Sequence, residues 1–198
     1  MRVNLKYSIF FIFFLFLCFF YLDKKIILFL KTISPYFKNY FFILEVLNDI
    51  IVILYKSFVV GVILLGVYSY FFLNKKRGKD LILGIIWATL IAQIKHLLGR
   101  ARPKITYETI FKGPSLKYAY ASFPSGHTLF VFTLATVLSH YYPRYKSLWY
   151  AFAVLVALER LLNFAHFPSD LFVGAFIGIF LGKKIISKDS KEIFKSKS

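Results

Sequence analysis

Long apolar runs alternate along this chain with short clusters of polar and charged residues. A helix needs about 20 apolar residues to cross the hydrocarbon core of a bilayer. Six runs approach that length, since the shorter ones can extend into their polar flanks. They are Leu5–Leu22, Ile50–Leu73, Leu81–Leu98, Phe123–Tyr141, Ser147–Leu162 and Leu171–Ile186. The pattern predicts an all-α fold, in which six transmembrane helices form a single membrane domain over residues 1–186.

Two stretches do not fit a spanning helix. Residues 24–49 alternate lysines with large apolar residues around a break at Ser34-Pro35. This pattern predicts one or two amphipathic helices in the outer membrane interface, or equally a connector resting on the headgroups. Residues 187–198 are polar and rich in lysine, which predicts a disordered basic tail. The first apolar run lacks a small-residue cleavage site, so we interpret it as a retained span.

Composition agrees with a membrane protein, because 59% of the 198 residues are hydrophobic and 21% are aromatic. The formal net charge is +17, which is high for so apolar a chain. No basic stripe is interleaved with polar surface, so nucleic acid is not an expected partner. Attraction to anionic lipids or to an anionic substrate explains the charge better. Cys18 is the only cysteine, which excludes an internal disulfide and a cysteine-based zinc site.

Orientation follows from lysines and arginines in short loops, which tend to remain in the cytoplasm. With the N-terminus inside, that side receives slightly more of these residues, chiefly at positions 75–79 and in the tail. We therefore expect both termini in the cytoplasm. The loops after the first, third and fifth spans then lie outside.

Three polar clusters fall at the outer ends of the third to sixth predicted spans. They are Lys95-x6-Arg102-Pro103, Phe123-Pro124-Ser125-Gly126-His127 and Arg160-x5-His166-x3-Asp170. Since all three lie on one membrane side, the topology predicts that they meet in one site.

Groups in these clusters suit an anion. Pro124 at the first position of a helix would leave the next three amides unpaired, and free amides at a helix N-terminus bind anions. Gly126 would let an oxyanion approach the backbone, and the Ser125 hydroxyl adds a donor. A cage of cations around the equatorial oxygens of a phosphoryl group would be completed by Lys95, Arg102 and Arg160.

Two histidines in such a cage can divide the work of phosphoryl transfer. Asp170 would receive an imidazole N–H from His166 and leave the other nitrogen free to attack phosphorus. His127, when protonated, would give its proton to the leaving oxygen. A zinc site made of these three residues is the alternative, which the surrounding cations disfavour. We expect no metal and no cofactor.

Other polar residues are weaker candidates. Contacts with a substrate headgroup are conceivable for Lys56, Arg100 and Lys104, although snorkelling of Lys56 and solvation of the two loop cations are simpler interpretations. His96 lies on another helix face than Lys95. His140 is about 20 Å from His127 along a straight helix, so it is not expected to be catalytic.

The three clusters resemble the signature motifs of the type 2 phosphatidic acid phosphatase superfamily. Its pattern is K-x6-R-P, then P-S-G-H, then S-R-x5-H-x3-D, and the match here covers residues 95 to 170. The resemblance implies a metal-independent enzyme in which His166 is the nucleophile, Asp170 assists it and His127 is the acid. It also implies that the phosphate is held by Lys95, Arg102, Ser125, Gly126 and Arg160.

One position departs from the family pattern, because Glu159 stands where serine usually precedes the arginine of the third motif. A carboxylate facing a bound phosphate would cost Coulomb energy. We therefore expect Glu159 to turn away from the phosphate or to pair with a neighbouring cation.

The resemblance implies a phosphatase of a membrane lipid. The predicted topology places its site at the outer face of the cytoplasmic membrane, and the short, compact chain favours a bacterial envelope lipid. Lipid A 1-phosphate, undecaprenyl diphosphate and phosphatidylglycerophosphate are the candidate substrates, and no obligate protein partner is expected. Two alternatives stay open. The same phosphohistidine could be discharged onto a second lipid, which would make the protein a phosphotransferase, or the scaffold could bind or transport lipids without catalysis.

Overall fold

A computed structural model of the chain describes residues 17–34 and 41–195, and these residues form an all-helical fold, as predicted. A π-helical turn, Cys18–Leu22, leads into the first α-helix, and a second π-helical turn, Ser69–Leu73, extends the next one. The α-helices are α1 (Asp23–Ile33), α2 (Phe41–Tyr68), α3 (Lys75–Ala92), α4 (Ile94–Leu98), α5 (Gly126–Tyr141), α6 (Lys146–Leu162) and α7 (Pro168–Lys195).

Helix α5 is the centre of the bundle, because every residue from Thr128 to Leu138 is buried. A helix that is apolar on all sides has to be surrounded by other elements. Helices α3, α6 and α7 pack around it. The outward faces of the surrounding helices expose large apolar side chains, among them Leu64, Phe72, Leu90, Leu155 and Phe176. Such broad apolar exposure is expected where the neighbour is lipid.

The helix bounds differ from the predicted spans in informative ways. The third apolar run is divided, since α3 ends at Ala92 and α4 begins after Gln93. Helix α2 begins at Phe41, so residues 41–49 prolong α2 and are not part of a separate interfacial helix. Its stretch Val46–Leu73, and the stretch Lys75–Leu98, are long and apolar enough to cross a membrane. The first predicted span, Leu5–Leu22, lies mostly outside the described residues.

The C-terminal segment also differs from expectation. Helix α7 continues to Lys195, so the predicted disordered tail is helical up to that residue. The lysines and glutamate of this stretch are good helix formers and no proline or glycine interrupts it, so the helix propagates into polar sequence.

Helix α1 lies at the same end of the bundle as the three polar clusters. Lys24 pairs with Glu108, and Lys31 donates to the hydroxyl of Tyr107, both in the loop that follows α4. Asp23, at the first position of α1, is fully buried. The segment that follows the first apolar run is therefore fastened to the loop that carries Arg102.

Glycines set the contact between α5 and α7. Gly174, Gly178 and Gly182, one turn apart on α7, face the backbone of α5. A Cβ atom on Gly178 would lie 2.5 Å from the carbonyl oxygen of Leu129, a backbone atom that cannot turn aside. We expect Gly178→Ala to lower the free energy of unfolding by about 1–3 kcal/mol, as overpacking does. Thermal unfolding in detergent measures this loss.

The matched control is Gly61→Ala in α2, where an added Cβ would meet no atom within 4 Å. Alanine is the better helix former, so this variant should be neutral or more stable by up to about 1 kcal/mol. Equal changes in the free energy of unfolding for Gly178→Ala and Gly61→Ala would contradict the close approach of α5 and α7.

Candidate active site

The three polar clusters meet at one end of the bundle, where α4 ends and α5 and α7 begin. The ammonium nitrogen of Lys95 lies 3.6 Å from the position that a Cβ atom on Gly126 would occupy. The amide of Ser125 donates to the main-chain oxygen of Asp170 over 3.0 Å. His127 and Arg160 line one cavity. Residues far apart in sequence are thus brought together, as the predicted topology requires.

The tautomer of His166 is fixed by its surroundings. Its Nδ1 lies 2.8 Å from the main-chain oxygen of Ser122. A carbonyl can only accept, so Nδ1 carries the proton and Nε2 keeps its lone pair. Burial lowers the pKa of His166, and Asp170 opposes this effect only in part. The neutral ring with a free Nε2 is the form that a nucleophile requires.

Asp170 supports His166 less directly than the sequence suggests. Its Oδ2 is 3.6 Å from Nδ1 of His166, beyond hydrogen-bond distance, because the Ser122 carbonyl occupies that position. Oδ2 accepts instead from the Ser122 hydroxyl at 2.5 Å and from the Phe167 amide at 2.8 Å. The second bond caps the start of α7. Asp170 therefore holds the two segments between which the imidazole of His166 lies.

Arg100 occupies a different place from the one expected of a loop cation near the headgroups. It is fully buried and donates to Asp170 at 2.5 Å, to Asp23 at 2.7 Å and to the Ser169 hydroxyl at 2.7 Å. Its guanidinium lies 4.2 Å from the ring centre of Phe167. A headgroup contact by Arg100 is thus wrong, because both carboxylates already enclose its charge.

This network also fixes the charge of Asp170. Burial alone would raise its pKa, but the Arg100 guanidinium, the nearby His166 ring and the hydrogen bond from Ser122 outweigh burial and hold the pKa below its ordinary value. The carboxylate therefore remains ionised beside His166. A negative charge at this distance stabilises a positive charge on the imidazole.

The start of α5 differs by two residues from the prediction. Ser125 has an extended backbone, with φ −67° and ψ 111°, and Gly126 is the first helical residue. Pro124 consequently lies outside the helix, and the Ser125 amide is engaged by Asp170. The amides of Gly126 and His127 remain in the first turn, where no carbonyl of their own helix can reach them. The anion site at this helix start is thus smaller than predicted.

Arg102 fastens the loops around the site and still has donors left. It is almost fully buried, and it donates to the main-chain oxygens of Tyr118, Ala121 and Ala165 at 2.9, 3.0 and 2.9 Å. Burial lowers the pKa of this guanidinium, and the neighbouring Tyr118 side chain and the Asp170 carboxylate oppose the effect. Arginine has five N–H groups, so two remain for an anion.

A cavity of about 230 Å³ opens beside His127, between α2 and α6. The ring of Tyr55 lies 5.0 Å from that of His127, and Lys56 and Arg160 also line the space. Ile51, Val52 and Val156 supply apolar walls. The structure therefore places Lys56 near the site, whereas Lys104 is an exposed loop residue. Glu159 lines the cavity as well, with its charge paired to Arg160, so the cavity combines apolar walls with the ammonium group of Lys56 and the remaining donors of Arg160.

Glu159 pairs with a cation, which is one of the two outcomes expected for it. Its side chain is buried and accepts from both Nε and Nη2 of Arg160. Asn163 donates to the same carboxylate, and it also donates to Asn48 of α2. A string of four polar side chains thus connects α2 with the end of α6.

Within the described residues, no group of three His, Cys, Asp or Glu side chains is placed to hold a metal ion. His127, His166 and Asp170 are therefore not arranged as the zinc ligands of the alternative interpretation. The cationic side chains of this site suit an anion instead.

Sequence reasoning missed several supporting residues. Ser122 orients His166, Asp23 pairs with Arg100, and Tyr55 contacts His127. Only Asp23 carried a signal, since it is an isolated carboxylate directly after an apolar run, and such residues are commonly functional or paired. Ser122 contacts His166 through its main-chain oxygen, which no residue type reveals, and its hydroxyl contacts Asp170 over a sequence distance of 48 residues.

Cationic side chains and helix-terminal amides lie beside two histidines at one end of an all-helical bundle with apolar outer faces, and this combination points to a class of protein. Residues 77–192 match the model of the PAP2 superfamily, and the chain belongs to that superfamily. The resemblance found in the three motifs is thereby confirmed.

Known proteins agree with this assignment. The chain is 32% identical over 108 residues to a lipid A 1-phosphatase of Rhizobium etli, and the match covers 51% of this chain but 45% of that protein. The chain thus spans less than half the length of this curated relative.

Two solved structures are similar to the fold. Aquifex aeolicus LpxE has a TM-score of 0.58 at 31% identity, covering 73% of this chain and 86% of that one. A transmembrane PAP2-type phosphatidylglycerolphosphate phosphatase of Bacillus subtilis has a TM-score of 0.55 at 20% identity, covering 85% and 96%. The second likeness concerns the fold alone.

Proposed function

We propose that this protein hydrolyses a phosphate ester of a membrane lipid through a phosphohistidine intermediate. Nε2 of His166 attacks phosphorus, and the bond from phosphorus to the lipid oxygen breaks. His127 gives its proton to that oxygen. His127 then takes a proton from water, whose oxygen attacks phosphorus and releases inorganic phosphate with a free His166. The charge that develops on the equatorial oxygens is stabilised by Lys95, Arg102, Arg160 and the first amides of α5.

The observation that carries this proposal is the hydrogen bond from Nδ1 of His166 to the Ser122 carbonyl. It leaves a basic nitrogen at a site that is otherwise lined with cations and helix-terminal amides. Nucleophile, acid and phosphate donors are what phosphoryl transfer needs. Groups with the chemistry for these three roles lie at this end of the bundle, which supports the proposal.

Among substrates we propose lipid A 1-phosphate first, because relatives at 30% and 32% identity carry the name lipid A 1-phosphatase. Undecaprenyl diphosphate and phosphatidylglycerophosphate are the other two candidates. The cavity beside His127 contains cationic and apolar groups, which fit a phosphorylated headgroup without choosing between these lipids.

The test is phosphate release by the purified protein in detergent micelles. Each of the three lipids is supplied at equal mole fraction, with and without excess EDTA. We expect release from lipid A with loss of the 1-phosphate by mass spectrometry, and the same rate with EDTA. With a substrate lipid labelled in its phosphate group, label that is recovered only in a second lipid and never as free phosphate would refute hydrolysis. Loss of activity in EDTA with recovery on added zinc would refute metal independence.

We further propose six membrane spans, with the site at the outer face of the bacterial cytoplasmic membrane and both termini inside. The large apolar side chains on the outer faces of the helices support burial in lipid. The excess of basic residues at positions 75–79 supports a cytoplasmic position for the turn between α2 and α3.

Cysteine labelling tests this orientation. Leu116 is 89% exposed in the loop after α4, and Tyr145 is 49% exposed at the opposite end, between α5 and α6. We expect Leu116→Cys to react with a membrane-impermeant thiol reagent in cells whose outer membrane is permeabilised. Tyr145→Cys should react only after the inner membrane is broken. The reverse pattern would invert the proposed topology, and wild type reports the background from buried Cys18.

A further inference from the structure

Glu159 is a buried acid in a site built for an anion. The residue is 4% exposed, and it lies in α6 directly before Arg160. A buried carboxylate is costly unless it is paired and hydrogen-bonded. Here Oε2 accepts from Nε of Arg160, and Oε1 accepts from Nη2 of Arg160 and from Asn163. Both carboxylate oxygens are thus engaged, so Glu159 has little capacity left for a substrate group.

The pairing uses one edge of the Arg160 guanidinium. Nε and one hydrogen of Nη2 point to Glu159, so the two Nη1 hydrogens and the second Nη2 hydrogen remain. Arg160 lines the cavity that contains His127. The second edge of the fork has the spacing that binds two oxygens of a phosphate. A carboxylate and a phosphate can therefore hold opposite edges of the same guanidinium.

Asn163 and Asn48 keep Glu159 in place. Asn163 donates both to Glu159 and to the side-chain oxygen of Asn48, and Asn48 belongs to α2. An arginine side chain is long and loses much rotamer freedom when it is held. If that freedom is lost before substrate binds, the guanidinium is already oriented when charge develops in the transition state.

We propose that Glu159 is a positioning residue, which fixes Arg160 so that its free edge meets the phosphoryl group. This inference rests on the proposed phosphatase function. It explains how an acid is accommodated at a position where related proteins of the superfamily usually have serine. Glu159 lines the same cavity, but both of its carboxylate oxygens are bonded to Arg160 or Asn163, so its effect is exerted through Arg160.

The decisive variant is Glu159→Gln, which keeps the size of the side chain. The amide nitrogen of glutamine is a donor and cannot accept from Arg160, so one of the two hydrogen bonds that hold the guanidinium is lost. We expect kcat for lipid phosphate release to fall about tenfold to hundredfold, as for residues that orient catalytic groups, while KM changes far less. The control is Asp49→Asn, which removes the same charge from an exposed residue of α2. Its kcat should be unchanged.

A double-mutant cycle with Arg160→Lys separates positioning from a general structural role. Lysine cannot donate two parallel hydrogen bonds to one carboxylate, so adding Glu159→Gln to the Arg160→Lys variant should lower kcat little further. Effects that simply multiply would overturn the proposal, because Glu159 would then act independently of Arg160. A rise of kcat/KM in Glu159→Gln would overturn it too, since the carboxylate would be competing with phosphate for Arg160.

Failure of this inference differs from failure of the proposed function. If the wild-type protein releases phosphate and Glu159→Gln is as fast, only the positioning role is refuted. If the wild-type protein releases no phosphate from any of the three lipids, the proposed function itself is refuted.

Discussion

His166→Ala should reduce lipid phosphate release at least about a thousandfold, as removal of a catalytic nucleophile does in other enzymes. The Nδ1 atom of His166 is fixed by the Ser122 carbonyl, which leaves Nε2 as the nitrogen that can attack phosphorus. Binding of inorganic phosphate should persist, because the cations and helix-terminal amides are unchanged. The measurements are the initial rate and the rise of the thermal midpoint with added phosphate, which reports binding to the folded state.

The control for this variant is His140→Ala. His140 is an exposed residue in the last turn of α5, at the opposite end from His127. His140→Ala should have the same initial rate of phosphate release as wild type and the same rise of the thermal midpoint with added phosphate. Activity of His166→Ala within tenfold of wild type would remove His166 from the role of nucleophile.

Arg100→Met should destabilise the protein by about 3–5 kcal/mol, since removing one partner of a buried ion pair leaves the other charges uncompensated. Asp23 and Asp170 are both buried and both lose their cation. Thermal unfolding in detergent measures the effect. The loss should shrink as the pH falls, because unpaired buried carboxylates have raised pKa values and become neutral on acidification.

Lys104→Met removes the same charge from an exposed position in the same loop and should shift stability by less than about 0.5 kcal/mol. A loss for Arg100→Met no larger than that of this control would contradict the network as described. A destabilisation by Arg100→Met that grows as the pH falls would also contradict the network, because protonation of the two carboxylates removes the uncompensated charge.

Sequence patterns were sufficient for the fold class and for the convergence of the motifs. Helical periodicity is not needed to find α5, because a long uniformly apolar run predicts a surrounded or lipid-facing helix. The motif residues Lys95, His127 and His166 each adjoin the end of such a run. Topology then brings them to one end of the bundle, where the structure has them.

Contacts over long sequence distances could not be predicted. Arg100 pairs with Asp23 and Asp170, which are 77 and 70 positions away, and no local pattern distinguishes it from the exposed Lys104. Helix ends were unreliable for a related reason. The sequence predicts that α5 begins at Pro124. In the structure the Ser125 amide donates to the main-chain oxygen of Asp170 in α7, and α5 begins at Gly126.

The glycine contacts between α5 and α7 determine which parts of the molecule can separate. These two helices touch backbone to backbone, and between them they carry His127 and Asp170. The close backbone contact leaves these two helices little room to shift against each other, so His127 and the start of α7 keep their relative positions. Helix α2 meets α6 through side chains such as Asn48, with a cavity between the two helices. Of these two contacts, the one between α2 and α6 is therefore the easier to separate, because it is made by side chains around a cavity.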